Sequence, residues 1–354
     1  PYVSMGAASS DVSWQKTTMK NIGLDFYLLS DRISGSFDFF RNDITRLLGY
    51  ASTSPLAIYE TRPINGGHYY RRGWELMVDT KNLVGEFTWD TSLTFSKTNS
   101  FWKERLPNYD YQIYQQRENE PMSAYYYYNV TGIINTDRSN MPESQKTLQA
   151  EAQLPGCPII EDKNKDGKID ENDVYMKDNS PAIYVGIGNT FTYKRFEFSF
   201  FMYGQFGIQK YNIAYSAAQA GPLAVDYPEN SNKFAYRLWN SQTNPNGSRP
   251  GLAIGKMGAL PGNAWVNADR ENASFMRMRN ITLAYNLAGN ILGSLQRYVR
   301  NIKVYVDAQN PFILTKFQGF DPEIYTGGGG ASGGPEVNIL KPALSLSELI
   351  LLFK

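Results

Sequence analysis

The strongest constraint in this chain is a two-residue alternation of apolar and small polar side chains that returns along its length. In "EFTWDTSLTFS", Phe87, Trp89, Thr91, Leu93 and Phe95 share one side, and Thr88, Asp90, Ser92, Thr94 and Ser96 the other. "NIGLDFYL" sets Ile22, Leu24, Phe26 and Leu28 against Gly23, Asp25 and Tyr27, and "ISGSFDFF" repeats the pattern with Ile33, Gly35, Phe37 and Phe39. Successive side chains of a strand point to opposite faces, so this period calls for strands with one apolar and one wet face. It predicts strands over 14–29, 33–48, 68–80, 86–99, 182–193, 196–207, 275–287 and 301–313.

The connections between these strands alternate in length. Short ones fall at Ser30–Arg32, Lys81–Gly85 and Lys194–Arg195; long ones run over 49–67, 100–181, 208–274 and 314–341. A soluble sandwich rarely alternates tight turns with loops of this size. An outer-membrane barrel does so by design, with short periplasmic turns and long extracellular loops. Composition agrees: 25 Tyr and 19 Phe, with only 19% of residues charged. No run approaches the roughly 20 apolar residues of a membrane helix, but a barrel wall needs only about 10 alternating residues per crossing. The expected fold is all-β, a partial antiparallel transmembrane β-barrel of about eight or nine strands. The competing architecture, a soluble calcium-stabilised β-module that binds glycans or acts as an adhesin, predicts shorter loops and a less apolar outer face.

Charge and rare residues narrow the function. Lys and Arg number 35 against 34 Asp and Glu, which gives no reason to expect a nucleic-acid partner. The single Cys157 forms no internal disulfide. "LPGC" at 154–157 superficially resembles a lipoprotein cleavage site, but no apolar run precedes it. His68 is the only histidine, so triad and histidine-metal chemistry are not expected, and nothing else suggests an enzyme. "TGGGGASGG" at 326–334 lacks the Gly-Lys-Ser/Thr of a phosphate cradle and reads as a loop.

"DKNKDGKIDENDV" at 162–174 has the spacing of a calcium loop. Asp162, Asn164 and Asp166 would ligate through side chains and Lys168 through its carbonyl, with Asp170 direct or through water and Asp173 at the closing position. Gly167 supplies the sharp turn. An Asp at the end is shorter than the usual Glu, which suits a weak, structural Ca²⁺ site. No helix pair flanks it, so a sensor would have nothing to move. The other reading is an Asp/Asn/Gly-rich turn without an ion. The same long loop carries Tyr109, Tyr111, Tyr114, Tyr125, Tyr126, Tyr127 and Tyr128. Such rings can stack on sugars or peptide side chains; packing of the loop on itself or on a partner is the plainer reading.

Residues 341–354, "KPALSLSELILLFK", alternate poorly for the closing strand that belongs here. Ser345 and Glu348 have capping-box spacing, and Leu346, Leu349, Ile350 and Phe353 follow a helical period. The local signals favour a short helix or a frayed tail.

Several stretches resemble the SusC/RagA family of TonB-dependent outer-membrane transporters of Bacteroidetes. They are "WQKTTMKNIGLDFYLLSDRISGSFDFF", "RRGWELMV", "NEPMSAYYYYNVTGI", "DKNKDGKIDENDV", "MRMRNITLAYNL" and "VYVDAQNPFILTKFQGFDPEI". The resemblance implies that residues 1–354 form the C-terminal portion of such a barrel, with 100–181 a long extracellular loop. It places the plug domain, the TonB-interacting segment and the earlier strands outside this sequence. It also implies a SusD-like lipoprotein partner, energy from the TonB complex, contact with outer-membrane lipid, and oligosaccharide or peptide cargo. In that setting the acidic loop is an extracellular structural clip.

Overall fold

The computed structural model describes residues 12–52, 61–107, 111–115, 118–212, 235–251, 260–261, 265–268, 270–287, 299–319, 321–323, 343–345 and 350–353. The strands, in chain order, begin with β1 (Lys16–Leu28), β2 (Ile33–Ser52), β3 (Thr61–Leu83) and β4 (Phe87–Glu104). Short strands follow in the first long loop: β5 (Ala124–Tyr128), β6 (Val130–Ile133), β7 (Pro158–Ile160) and β8 (Tyr175–Asp178). Then come β9 (Ile183–Tyr193), β10 (Phe196–Phe206), β11 (Gln209–Tyr211), β12 (Trp265–Val266) and β13 (Arg270–Asn272). The chain closes with β14 (Phe275–Leu287), β15 (Val299–Thr315), β16 (Ala343–Ser345) and β17 (Ile350–Phe353).

One 10-stranded antiparallel sheet runs in the order β1-β2-β3-β4-β9-β10-β14-β15-β16, with β17 also paired to β15. The eight long strands match the eight read from alternation. Among the described residues the two ends of the sheet do not pair with each other, so it is an open segment of barrel wall.

Register sorts the side chains onto two faces. Leu24, Phe37, Leu76, Phe95 and Val185 lie in one row across five strands. Phe191, Phe198, Leu283 and Val306 continue the same outer face. Ile22, Leu24, Phe37, Phe39, Phe198, Leu283 and Val306 are all exposed despite being apolar. An exposed apolar surface of this extent is unstable in water and marks a lipid-facing wall. The opposite face carries the row Ser34, Asp79, Ser92, Gly188, Phe201 and Asn280. A groove of about 370 Å³ opens there, lined by Asp79, Asp90, Ser92 and Phe201 among others. Further along this face Lys303 Nζ meets both oxygens of Glu197 at 2.8 and 2.9 Å.

The short turns are locally determined. Tyr193 pairs with Phe196, leaving only Lys194 and Arg195 to reverse the chain, and Lys194 takes a φ of 56°. Arg32 ties the first turn to the second, donating to the Lys81 carbonyl at 3.2 and 3.1 Å and to the Asn82 carbonyl at 2.7 Å.

Two expectations are corrected. The loop expected over 49–67 is largely strand, because β2 and β3 stay paired out to Ser52 and Thr61. In this extension Ala51 and Ile64 are buried, with Leu106 and Pro107 lying against Gly49 and Gly66, while Leu48 and Tyr50 are exposed, so the alternation that marks a membrane strand fades. The second correction concerns the end of the chain. In place of a helix, β16 and β17 pair antiparallel with β15, Ser345 opposite Asp307 and Ile350 opposite Lys303. Residues 346–349, including Glu348, lie outside the described residues. The N–H and C=O groups along the edge of β15 offer both short strands backbone partners, and such tertiary pairing overrides local propensity.

Candidate functional site in the long-loop unit

The long connections gather at one end of the sheet, and the first folds into a compact unit. It is anchored on β4: Trp102 N donates to the Glu120 carbonyl and Met122 N to the Ser100 carbonyl, both at 2.8 Å. Glu120 is fully buried and is held by Arg105 and by the Tyr126 hydroxyl. A carboxylate stripped of water needs a cation and hydrogen bonds together, and here it has both.

Three short strands from distant parts of the chain make the floor of this unit, in the order β12-β5-β8. Tyr114, Tyr128, Leu148, Ile160, Ile169, Val174, Leu260 and Val266 form its core. The tyrosines divide by the alternation of β5. Tyr128 is fully buried, and its hydroxyl lies 3.0 Å from the carbonyls of Asp170 and Pro261. Tyr126 packs on Tyr114 at 5.0 Å between ring centres. Burial pushes both the Tyr126 and Tyr128 phenols well above their ordinary pKa, for Tyr126 with help from the hydrogen bond to Glu120. Tyr125, Tyr127 and Tyr175 stack on the other face at 5.3 and 5.7 Å, all half-buried. The Arg270 guanidinium sits 3.7 Å from the centre of the Tyr125 ring, and Lys163 Nζ 4.6 Å from that of Tyr175. Burial lowers the pKa of Arg270, with Tyr125 and Tyr211 opposing the shift. Tyr111 lies beside Arg105, 5.2 Å from ring centre to guanidinium carbon. Tyr109 lies outside the described residues. The structure therefore separates Tyr114, Tyr126 and Tyr128, which build the core, from a partly open aromatic and cationic ladder of Tyr125, Tyr127, Tyr175, Lys163 and Arg270. Tyr175, Lys163 and Arg270 were not singled out by sequence reasoning, because they come from separate segments and meet only through sheet pairing.

A second small core holds Ile134, Cys157 and Ile159. Burial raises the pKa of the Cys157 thiol, and Sγ lies 3.3 Å from the Glu151 carbonyl. Gln145, fully buried, donates through Nε2 to the carbonyls of Ala152 and Pro158 at 3.0 and 3.2 Å and accepts from Ile160 N at 3.0 Å. This one side chain satisfies three backbone groups that no strand reaches.

The acidic loop closes against this core. Asp162 accepts from Asp166 N at 3.2 Å and Gly167 N at 2.9 Å, and Gly167 has the φ of 83° that its turn requires. Asp166 accepts from Lys168 N at 2.9 Å and from Asn164 Nδ2 at 3.0 Å. Asp173, fully buried, accepts from Lys163 N at 2.9 Å and Asp170 N at 2.8 Å, forming a capping box with Asp170. Ile169 and Val174 point into the core. Each carboxylate oxygen thus carries one hydrogen bond and keeps lone-pair capacity for a hard cation. The six groups expected to ligate, on Asp162, Asn164, Asp166, the Lys168 carbonyl, Asp170 and Asp173, are all oxygen donors, the kind calcium takes. Among the described residues no three His, Cys, Asp or Glu side chains converge in metal-holding geometry.

The later loops meet the lumenal side of the wall. Arg277, almost fully buried, holds Asp321 at 2.8 and 2.7 Å and also pairs with Glu323, which accepts from the Tyr203 hydroxyl. These acids belong to "FDPE", so the segment after β15 folds back over β14 and β10.

Comparison with family models finds no match. Curated relatives do exist. A TonB-dependent receptor of Formosa agariphila is 25% identical over 330 residues, covering 89% of this chain and 31% of the relative. The TonB-dependent receptor SusC of Bacteroides thetaiotaomicron is 27% identical over 330 residues, covering 91% and 31%. Among solved structures, the RagAB peptide importer in its closed-closed state superposes with a TM-score of 0.66 at 18% identity, covering 89% of this chain and 34% of that one. Its open-open state gives a TM-score of 0.64. The chain thus spans about a third of the length of the curated relatives it matches.

Proposed function

We propose that the chain is the C-terminal third of a SusC-type TonB-dependent receptor and supplies barrel wall and extracellular mouth to an outer-membrane nutrient importer. The observation that carries this is the sorting of one continuous sheet into an exposed apolar outer face and a polar lumenal face. Import in such a receptor is binding and gating without covalent chemistry. The cargo class is oligosaccharide or peptide. A SusD-like lipoprotein sits at the mouth, and the TonB complex acts through parts of the receptor beyond this third. The half-open ladder of Tyr125, Tyr127 and Tyr175 offers flat faces to cargo, while Tyr111 and the core tyrosines hold the loop in shape. The acidic loop takes Ca²⁺ as a structural clip, supported by its donor chemistry and its seat on the loop core.

The test is uptake of labelled oligosaccharides and peptides by cells carrying the full-length receptor. Accumulation of one class that needs both the receptor and a functional TonB complex is expected. Accumulation that persists without TonB would overturn the proposal.

A further inference from the structure

The lipid-facing surface of β1, β2 and β3 ends, at the mouth side, in a row of cations. Lys20 is the register partner of Arg41, and Arg41 of Arg72. They share the outer face with Ile22, Phe39 and Trp74, which form the next row toward the short turns. Lys97, the partner of Trp74 on β4, adds a fourth cation to that face. Two are held flat on aromatic rings: the Arg41 guanidinium carbon lies 4.3 Å from the Tyr70 ring centre and that of Arg72 5.2 Å from Phe101. Those rings stack on each other at 5.3 Å.

The height of the row is informative. From the short turns, β1 and β2 advance eight residues to reach Lys20 and Arg41, and β3 advances eleven from Leu83 to Arg72. At about 3.3 Å per residue and a tilt near 40°, this is roughly 20–28 Å above the periplasmic edge. The apolar band of such barrels is about 25 Å tall. The row therefore lies where lipid headgroups of the outer leaflet begin.

Its charge is poorly compensated by the protein. Asp43 pairs with Arg41 at 3.0 Å and also meets His68 at 3.2 Å. Among the described residues Lys20, Arg72 and Lys97 have no carboxylate partner. Like charges directly opposite each other on neighbouring strands, about 4.8 Å apart, are destabilising unless an anion joins them. The lumenal face of the same strands carries Asp25, Asp38, Glu75 and Asp79 instead. Cations are thus concentrated on the lipid side, at the edge of the apolar band. Guanidinium forks match phosphate oxygens in pairs, and lysine stems lie along apolar surface while the ammonium reaches the headgroups.

We propose that Lys20, Arg41, Arg72 and Lys97 form a binding site for the phosphate groups of an outer-leaflet lipid headgroup; this rests on the barrel-wall reading above. The site fixes one lipid against β1–β4 beside the mouth.

The test uses the full-length receptor in neutral phosphatidylcholine vesicles containing a small fraction of a phosphorylated glycolipid or its dephosphorylated counterpart. Lipid retained on the purified receptor is counted by native mass spectrometry. The wild type is expected to retain the phosphorylated form at least about tenfold over the other. Lys20→Gln with Arg72→Gln should remove that preference, Arg72→Lys should keep most of it, and Arg71→Gln on the lumenal face should leave it intact. If the double variant does not fold, each single variant is judged by the same ratio. Equal retention by variant and wild type, or no preference in the wild type, overturns the site. Displacement of the lipid by an equal concentration of inorganic phosphate overturns the headgroup assignment. Heat-modifiable gel mobility is followed throughout, and its absence in the wild type would instead contradict the barrel reading.

Discussion

A lysine placed on either face of β4 separates the two environments of the wall. Leu93 lies on the outer face between Val78 and Ile187. It is six residues from Phe87 at the start of β4, about 20 Å along the strand and about 15 Å in height, close to mid-bilayer. Leu93→Lys should destabilise the full-length receptor by about 2–4 kcal/mol, roughly 30- to 900-fold in its unfolding equilibrium. Ser92, one residue away, faces the lumen between Asp79 and Gly188. Ser92→Lys keeps the charge in water and gains an opposite-charge cross-strand neighbour in Asp79, an effect of about 0.2–1 kcal/mol in the favourable direction. Both variants, with Leu93→Ala as the packing control, can be compared by urea unfolding in lipid vesicles. Similar costs for Leu93→Lys and Ser92→Lys, or a larger cost at Ser92, would refute the assignment of faces.

Three further outcomes follow from the loop unit. In the full-length receptor, calcium should release or absorb heat and raise thermal stability, and Asp166→Ala should remove both effects while uptake continues; no heat on adding calcium would eliminate the ion. Gln145→Leu leaves three buried backbone groups unpaired and should cost about 2–4 kcal/mol of local stability, read as faster hydrogen exchange over 143–160 with unchanged exchange in β9 and β10. Because burial raises the pKa of Cys157, less of it is thiolate at pH 8 than of a free cysteine, so maleimide should label it far more slowly in the folded receptor than after denaturation; equal rates would contradict its burial.

The long strands were legible in the sequence because their two faces meet different solvents. Lipid demands Phe37, Leu76, Phe95 and Val185 where the lumen accepts Ser36, Met77, Thr94 and Gly186, and that contrast writes a period of two. The short turns were legible for the same reason, as breaks between alternating runs. Above the membrane the contrast fades, so the paired ends of β2 and β3 beyond Leu48 read as loop. "AYYYY" could not reveal which tyrosines are buried, because identical residues have no alternation; the split between Tyr128 and Tyr127 is set by β8 and β12 on either side. The ladder of Tyr125, Tyr127 and Tyr175 with Arg270 depends on pairings across 48 to 145 residues of sequence. At the chain's end, Ser345 and the apolar residues after it carry helical spacing, yet the edge of β15 draws Ser345, Ile350 and Phe353 into strand pairing. The acidic loop was legible as a turn with calcium spacing, and its seat on Ile169 and Val174 was not.

The most direct test of the central claim, that this sheet is lipid-exposed wall, is a spin-label scan of residues 87–96 in the full-length receptor in bilayers. Collision with oxygen, which concentrates in lipid, should peak at 87, 89, 93 and 95. Collision with a water-soluble nickel chelate should peak at 90, 92 and 94, in antiphase with oxygen. Nickel accessibility equal on both faces, with no oxygen preference at 93 and 95, would contradict the barrel wall and place the sheet in water.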